Sequence, residues 1–274
     1  MDRHQSGNCR IVIGGNLQKP EYHIMSQGNM LKIVFEDERL IVVDKPCGML
    51  TMSAGRQGEV TAYSLLYDYM SGKRSRSGHD VYIVHRLDRD TSGLLVFAKD
   101  FETKTRMQEN WNQCVKERKY TAVLEGRIED EEGWIETWLY ENPKSMKVHC
   151  YPIDGRDIED AREGRCRYGE RNGWQYASSH CRRLGQTEIE GIPYTTVEFS
   201  LETGRKNQIR VHSQWIGHPI AGDKKYGAST NPFRRLALHA HKLSFIHPWS
   251  GKVMTFTSPV PAALKKCRFQ QGRP

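Results

Sequence analysis

No stretch of the 274 residues approaches the roughly 18 consecutive apolar residues of a membrane-spanning helix, and the opening MDRHQSGNCR has no apolar signal core. Neither a membrane span nor export is expected, and a cytoplasmic home follows. Paired cysteines are also missing. The seven cysteines (Cys9, Cys47, Cys114, Cys150, Cys166, Cys181, Cys267) are odd in number and scattered, with no C-x-x-C. That argues against a disulfide framework and a zinc ribbon, so reduced thiols are expected and no metal. His149–Cys150 and His180–Cys181 lack the spacer that chelation of one ion needs. Repeats, low-complexity tracts, heptads and long apolar stripes are absent as well, and a monomer is expected.

What is present is a chain of 37% apolar residues, enough for a real core, with a net charge of +8. Such a balance suits a polyanionic partner and says nothing about fold. Its distribution is more informative. Between Glu202 and Lys242 eight basic residues face two acidic ones, and GKRSRSG at 72–78 adds a second basic cluster. EDEEG at 129–133 is acidic and reads as a solvated turn.

Residues 1–30 are polar, lack sustained periodicity and read as a loosely held arm; 262–274 read as a basic tail. LKIVF (31–35) and LIVVD (40–44) predict a hairpin across EDER. TAYSLLYDYM (61–70) spaces Ala62, Leu65, Leu66 and Tyr69 as an amphipathic helix. Strands are predicted over 81–84 and 93–99, and a helix over Phe101 to about Lys116, where Met107, Trp111 and Val115 lie four apart. In YTAVLEG (120–126) alternation sends Tyr120, Ala122 and Leu124 to one face. Residues 127–195 predict antiparallel ribbons with an irregular insertion near 152–173. A strand over 194–204 then leads into a helix with Ile209, His212 and Ile216 on one stripe and Gly217 as its stop. Strands near 238–246 and 252–257 close the chain. Helices interleaved with antiparallel hairpins make the class α+β.

VHRLDRDTSG (84–93) holds one carboxylate, Asp88, between Arg86 and Arg89, inside strand-like flanks that carry the segment into a folded body. Asp88, Tyr120 and Arg210 each have an ordinary structural explanation when taken singly. Together with their surroundings they say more. HRLDRDTSG, KYTAVLEG, TGRKNQIRVH and GDKKYG follow the order and spacing of the RluA-type pseudouridine synthases, which this chain resembles. ERLIVVDKPCGML and LHAHKLSFIHPWSGKVMTFTSPVP extend the likeness over roughly residues 31–261.

The resemblance implies a pseudouridine synthase fold over 31–261: a mixed, largely antiparallel sheet flanked by helices and loops, with an active-site cleft across it. It implies isomerisation of a uridine in ribosomal or transfer RNA to its C-glycoside, with no cofactor. Asp88 aligns with the family's essential aspartate. It would add to an electrophilic carbon, stabilise a sugar cation or remove a sugar proton, and the residues leave the three routes open. Arg210 matches the arginine that pairs with this carboxylate, which would favour the ionised acid and fix its aim. Tyr120 matches the tyrosine that stacks on the target base, and Arg86 the arginine that fills the gap left by the extruded nucleotide. Arg205, Lys206, Lys224 and Lys225 are candidate RNA phosphate contacts. Thr91, Ser92 and Gly93 suit a tight turn, and His85 and His212 suit structural hydrogen bonding. Asn207 stands where the family usually has histidine, which bears on the support of Arg210 more than on activity. Two rivals remain: a non-catalytic RNA-binding or RNA-folding factor on the same fold, and a small-sugar glycosidase with Asp90 as its second acid.

Overall fold

The computed structural model describes residues 10–14, 21–26, 28–53, 59–72, 80–162 and 173–265. Its strands are β1 (Arg10–Gly14), β2 (Glu21–Ser26), β3 (Asn29–Glu36), β4 (Leu40–Lys45), β5 (Tyr82–Ile83), β6 (Ser92–Ala98) and β7 (Val115–Glu125). They continue with β8 (Glu132–Glu141), β9 (Val148–Tyr151), β10 (Trp174–Ile189), β11 (Ile192–Leu201), β12 (Leu238–Ile246) and β13 (Val253–Thr257). The helices are α1 (Ala62–Gly72), α2 (Phe101–Glu109), α3 (Trp111–Cys114), α4 (Gly155–Arg162), α5 (Gln208–Trp215) and α6 (Ala262–Lys265). Every strand pairing with a resolved register is antiparallel, as the α+β reading expects.

The chain divides into two compact units. The first comprises Met1–Glu117 and Ala240–Pro259. Its strands run in the order β1-β2-β3-β4-β6-β12, with β13 on β12 and β5 on β6. Both faces of β6 are buried over its whole length, which is why SGLLVFA reads as a continuous apolar run. Leu40, Val42, Leu94, Val96, Met107, Leu243 and Phe245 make one core cluster. At the β3–β4 turn the Asp37 carboxylate accepts the N–H groups of Arg39 and Leu40, both at 2.7 Å, which sets the hairpin inside EDER.

The second unit comprises Arg118–His239 and Val260–Pro274. Its strands run β7-β11-β10-β8-β9. Ala122, Val123, Leu124, Tyr194, Val197, Phe199, Ile209 and Ile220 lead its main cluster. A smaller one joins Leu139, Val148 and Ala177 to Val211 and Tyr226. Helix α5 thus contributes to both.

Three sequence expectations need correction. Residues 10–14 and 21–26, read as a loose arm, are paired strands, because β2 adds to the edge of β3 and β1 to β2. The helix expected to reach Lys116 stops at Asn110, whose backbone N–H and side-chain amide both donate to the Arg106 carbonyl. One further turn follows, and β7 begins at Val115. The insertion near 152–173 holds α4, started by Asp154, whose carboxylate accepts the Asp157 N–H at 2.9 Å. The basic cluster at 72–78 lies almost wholly outside the described residues, and most of the C-terminal tail does too.

His212 shows how tightly α5 is seated. Its ring nitrogens lie 3.0 Å from the Ser179 hydroxyl and 3.1 Å from that of Thr137, and burial pushes its imidazole down to about 3. The unfolded chain protonates this residue near 6.5, before the folded one does. As the pH falls from about 6.5 toward 3, the unfolded state therefore gains the proton first and stability drops, by up to ~1.4 kcal/mol per pH unit from this residue. In urea titrations across that window the advantage of the native protein over His212→Asn should shrink steadily on acidification. A difference that stays constant with pH would contradict this origin.

Candidate active site

In the first unit the motif loop 85–91 is held from below by residues 45–51. Lys45 closes the aliphatic strand β4, and its side chain is fully buried. An ammonium in such a place must be surrounded by acceptors. Its Nζ donates to the carbonyls of Met49 at 2.7 Å, Arg89 at 3.0 Å and Pro46 at 3.1 Å. Gly48 N–H donates to the same Arg89 carbonyl at 3.0 Å, from a φ of 85° that a side chain would strain. Thr51 supplies the other anchor: its hydroxyl donates to the Leu87 carbonyl at 2.9 Å and accepts the Leu87 N–H at 3.2 Å. The Cys47 thiol reaches the Asp90 carbonyl at 3.1 Å.

Leu87 is buried, so the residues on either side of it are fixed while Arg86 stays exposed and Asp88 half-buried. Thr91 N–H donates to the Asp88 carbonyl at 3.2 Å and closes the turn. Gly93 has a φ of 117°, and a Cβ there would run into the Ala240 backbone. His85 Nε2 accepts the Val96 N–H at 3.2 Å and its ring lies 4.8 Å from that of Trp111, the structural part its sequence suggested. Arg89 is exposed and ion-paired with Glu59.

In the second unit α5 presents Arg210. The residue before the helix, Asn207, has a φ of 54°, a left-handed conformation that asparagine tolerates well. Its side-chain carbonyl accepts the Tyr226 hydroxyl at 3.1 Å. This is the physical sense of asparagine at the position where histidine was expected. Gln208 uses all of its amide: Oε1 accepts from the Thr203 hydroxyl at 2.8 Å and the Arg205 N–H at 2.9 Å. Its Nε2 donates to the Ser178 carbonyl at 3.0 Å and the Ser179 hydroxyl at 2.8 Å. The helix start is thereby tied to β10.

Arg210 is then gripped in a fork. Its Nε and Nη2 each donate to a different oxygen of Asp223, both at 2.7 Å, and its guanidinium carbon lies 5.0 Å from the centre of the buried Tyr226 ring. The Asp223 side chain is 1% exposed and that of Arg210 12%, so this is a nearly dry, bidentate pair. Tyr120 is half-buried opposite Phe199 on β11 and packs on the same cluster as Ala122, Leu124 and Ile209. Tyr120 and α5 are therefore brought onto one core.

The four proposed phosphate contacts are all exposed. Lys206 pairs with Glu141, and Arg205 Nε donates to the Tyr176 carbonyl at 3.0 Å. Lys225 Nζ donates to the Met146 carbonyl at 3.0 Å, and Lys224 precedes it in the short turn capped by Asp223. Among the described residues no group of three His, Cys, Asp or Glu side chains could hold a metal, and no helix is long and apolar enough to cross a membrane. Strand alternation also turns His149 and Cys150, and His180 and Cys181, to opposite faces.

Sequence reasoning missed Lys45, Thr51, Asp223 and Tyr226. For Lys45 a signal existed, a lysine closing an aliphatic strand. Asp223 and Tyr226 flank the two lysines of GDKKYG, where the basic charge drew attention instead.

Residues 39–215 match the family model described as RNA pseudouridylate synthase. YlyB of Bacillus subtilis, described as an uncharacterized RNA pseudouridine synthase, is 36% identical over 244 residues, covering 87% of this chain and 72% of that protein. Ribosomal large subunit pseudouridine synthase D of Zymomonas mobilis is 34% identical over 254 residues, covering 89% and 73%. Among solved structures, human RNA Pseudouridylate Synthase Domain Containing 4 superposes with a TM-score of 0.64 at 22% identity, over 85% of this chain and 89% of that one. The chain belongs to the RNA pseudouridylate synthase family, of the RluA type, and is an isomerase acting on RNA.

Lys45→Met roughly keeps the length of the side chain but removes the ammonium from the carbonyls of Pro46, Met49 and Arg89, leaving the last with the Gly48 N–H. It should lower stability by about 2–4 kcal/mol in chemical denaturation. An unchanged midpoint would mean that the lysine does not hold the loop.

Proposed function

We propose that the chain isomerises a particular uridine of structured RNA to pseudouridine, with Asp88 as the catalytic carboxylate. The observation that carries this is the anchoring of Leu87 from both its N–H and its carbonyl by Thr51, with Arg89 held by Lys45. A carboxylate set between two fixed peptides is pre-aimed, and pre-aiming is what a reaction at a single sugar carbon requires. The C1′–N1 bond breaks, the uracil turns, and a C1′–C5 bond forms. The proton on C5 is lost and N1 gains one, so no oxidant or cofactor is needed. Asp88 serves as nucleophile, as a counter-charge to a sugar cation, or as the base that yields a glycal.

Tyr120 provides an aromatic face for the extruded base, supported by its seat on the apolar cluster. Arg210, braced by Asp223 and Tyr226, is the guanidinium that orients the reacting groups. Arg86 fills the place the nucleotide leaves, and Arg205, Lys206, Lys224 and Lys225 meet phosphates. Ribosomal RNA of the large subunit is the favoured substrate, because several relatives carry that substrate in their names. The reaction then takes place in the cytoplasm, by a monomer.

Tritium release from RNA carrying 5-tritiated uridine tests this. Asp88→Asn should cut release roughly a thousand-fold or more while RNA binding stays within a few-fold of the native value. Native release no greater than that of the variant would leave a binding factor without turnover.

A further inference from the structure

Arg39, Arg106, Arg162, Arg182 and Arg210 are each ion-paired with an aspartate or a glutamate. Two arginines of the second unit are held differently. Arg118 and Arg205 lean on backbone carbonyls, and among the described residues neither is ion-paired with a carboxylate. Neutral acceptors fix the position of a guanidinium and leave its charge uncancelled.

Arg118 stands two residues before Tyr120 on β7, so alternation turns both side chains to the same face. It is half-buried, and its Nη2 donates to the carbonyls of Leu201 at 3.3 Å and Glu202 at 2.8 Å, where β11 ends. Its Nη1 lies over Gly204, at which a Cβ would come within 2.4 Å of that nitrogen. Gly204 has no positive φ, so what its missing side chain provides is room for the guanidinium. Arg205 is the next residue. Its backbone N–H donates to Gln208 Oε1 at 2.9 Å and its Nε to the Tyr176 carbonyl at 3.0 Å.

Two cations are thus fixed close together. Burial holds the Arg118 guanidinium below the usual arginine range, Tyr120 and Glu202 oppose this, and the charge of Arg205 adds to it. An arginine stays protonated all the same. Like charges held in this way repel unless an anion joins them. The exposed Glu202 is in electrostatic reach, yet it closes no ion pair with either. In Arg118 Nε and Nη1, and in Arg205 both Nη atoms, have no acceptor among the described residues. Planar forks of this kind match the two unesterified oxygens of a phosphodiester. Two residues along a strand span roughly 7 Å, a reach comparable with that from a base to the phosphate of its own nucleotide.

We propose that Arg118 and Arg205 together bind one backbone phosphate of the substrate RNA, the one attached to the target uridine, and that Gly204 gives Arg118 the room to reach it. The proposal rests on the reading of the chain as an RNA isomerase with Tyr120 against the target base. It makes Arg118 a binding residue, although its half-buried place and its carbonyl partners give it the look of a structural one.

Binding of a fluorescein-labelled oligouridylate to Arg118→Met, Arg205→Met and the double variant tests it. Each single change should weaken binding about tenfold, the lower end of what a charged hydrogen bond gives. The double variant should fall well short of the roughly hundredfold product, because groups that share one ligand are coupled. Its salt dependence should flatten by about 0.7 in log–log slope, one phosphate's worth, where two separate contacts would take away about 1.4. Gly204→Ala keeps both charges but displaces the Arg118 fork, and should weaken binding about as much as Arg118→Met. Should Arg118→Met fail to fold, Gly204→Ala replaces it in the same cycle with the exposed Arg205. In tritium release the Arg118 or Gly204 variant should raise KM about tenfold, more than it lowers kcat. Additive losses with the larger slope change, unaltered affinity in Gly204→Ala, or an unaltered KM would overturn the shared phosphate site. Failure of the isomerase reading has a different signature: no tritium release from the native protein, with the coupled losses in oligouridylate binding intact.

Discussion

A single buried ammonium organises the acid-bearing loop. Lys45 lies at the end of an apolar strand with no water to hydrate it, and the carbonyls of Pro46, Met49 and Arg89 take water's place. A charge in that position is costly unless every donor is used, so the chain has little freedom to move those carbonyls. Two of them shape the KPCG turn, and the third belongs to the residue after Asp88. Thr51 fixes the residue before it. The aspartate is thus held through the backbone of its two neighbours.

The second unit uses the same logic with the sign reversed. Here a buried carboxylate, Asp223, holds a guanidinium from a helix, and Tyr226 supplies the ring beneath it. Removing one member of so dry a pair would strand the other, which is the usual reason such pairs persist although they add little net stability. Around it, Gln208 and His212 tie α5 to β10 and β8 through the hydroxyls of Ser179 and Thr137. A polar layer of this kind positions a helix more narrowly than apolar packing does, because each hydrogen bond has a direction.

Much of this was legible in the residues before any coordinates. The alternation in KYTAVLEG placed Tyr120 beside Ala122 and Leu124, and those two are fully buried under it. The continuous apolar run of β6 and the stripe of Ile209, His212 and Ile216 were equally plain, since burial on one or both faces writes itself into periodicity. Strands β1 and β2 were not, because each is a short run of 5 or 6 residues set in an otherwise polar segment, too brief for alternation to stand out. The stop at Asn110 was hidden by a four-residue spacing that continues across it in the sequence. Lys45 and Thr51 were hidden for a different reason. Their partners in the motif loop are backbone groups 44 and 36 residues away, and a backbone group leaves no mark on a sequence.

The anchored loop is the claim on which the rest stands, and amide hydrogen exchange at Leu87 tests it directly. The Leu87 N–H ends on the buried Thr51 hydroxyl. It should exchange slowly in the native protein, far more slowly than an open loop amide, and accelerate at least about tenfold in Thr51→Val, as the loss of one buried hydrogen bond implies. Fast exchange in the native protein, or no change in the variant, would show that the loop is not held by these contacts.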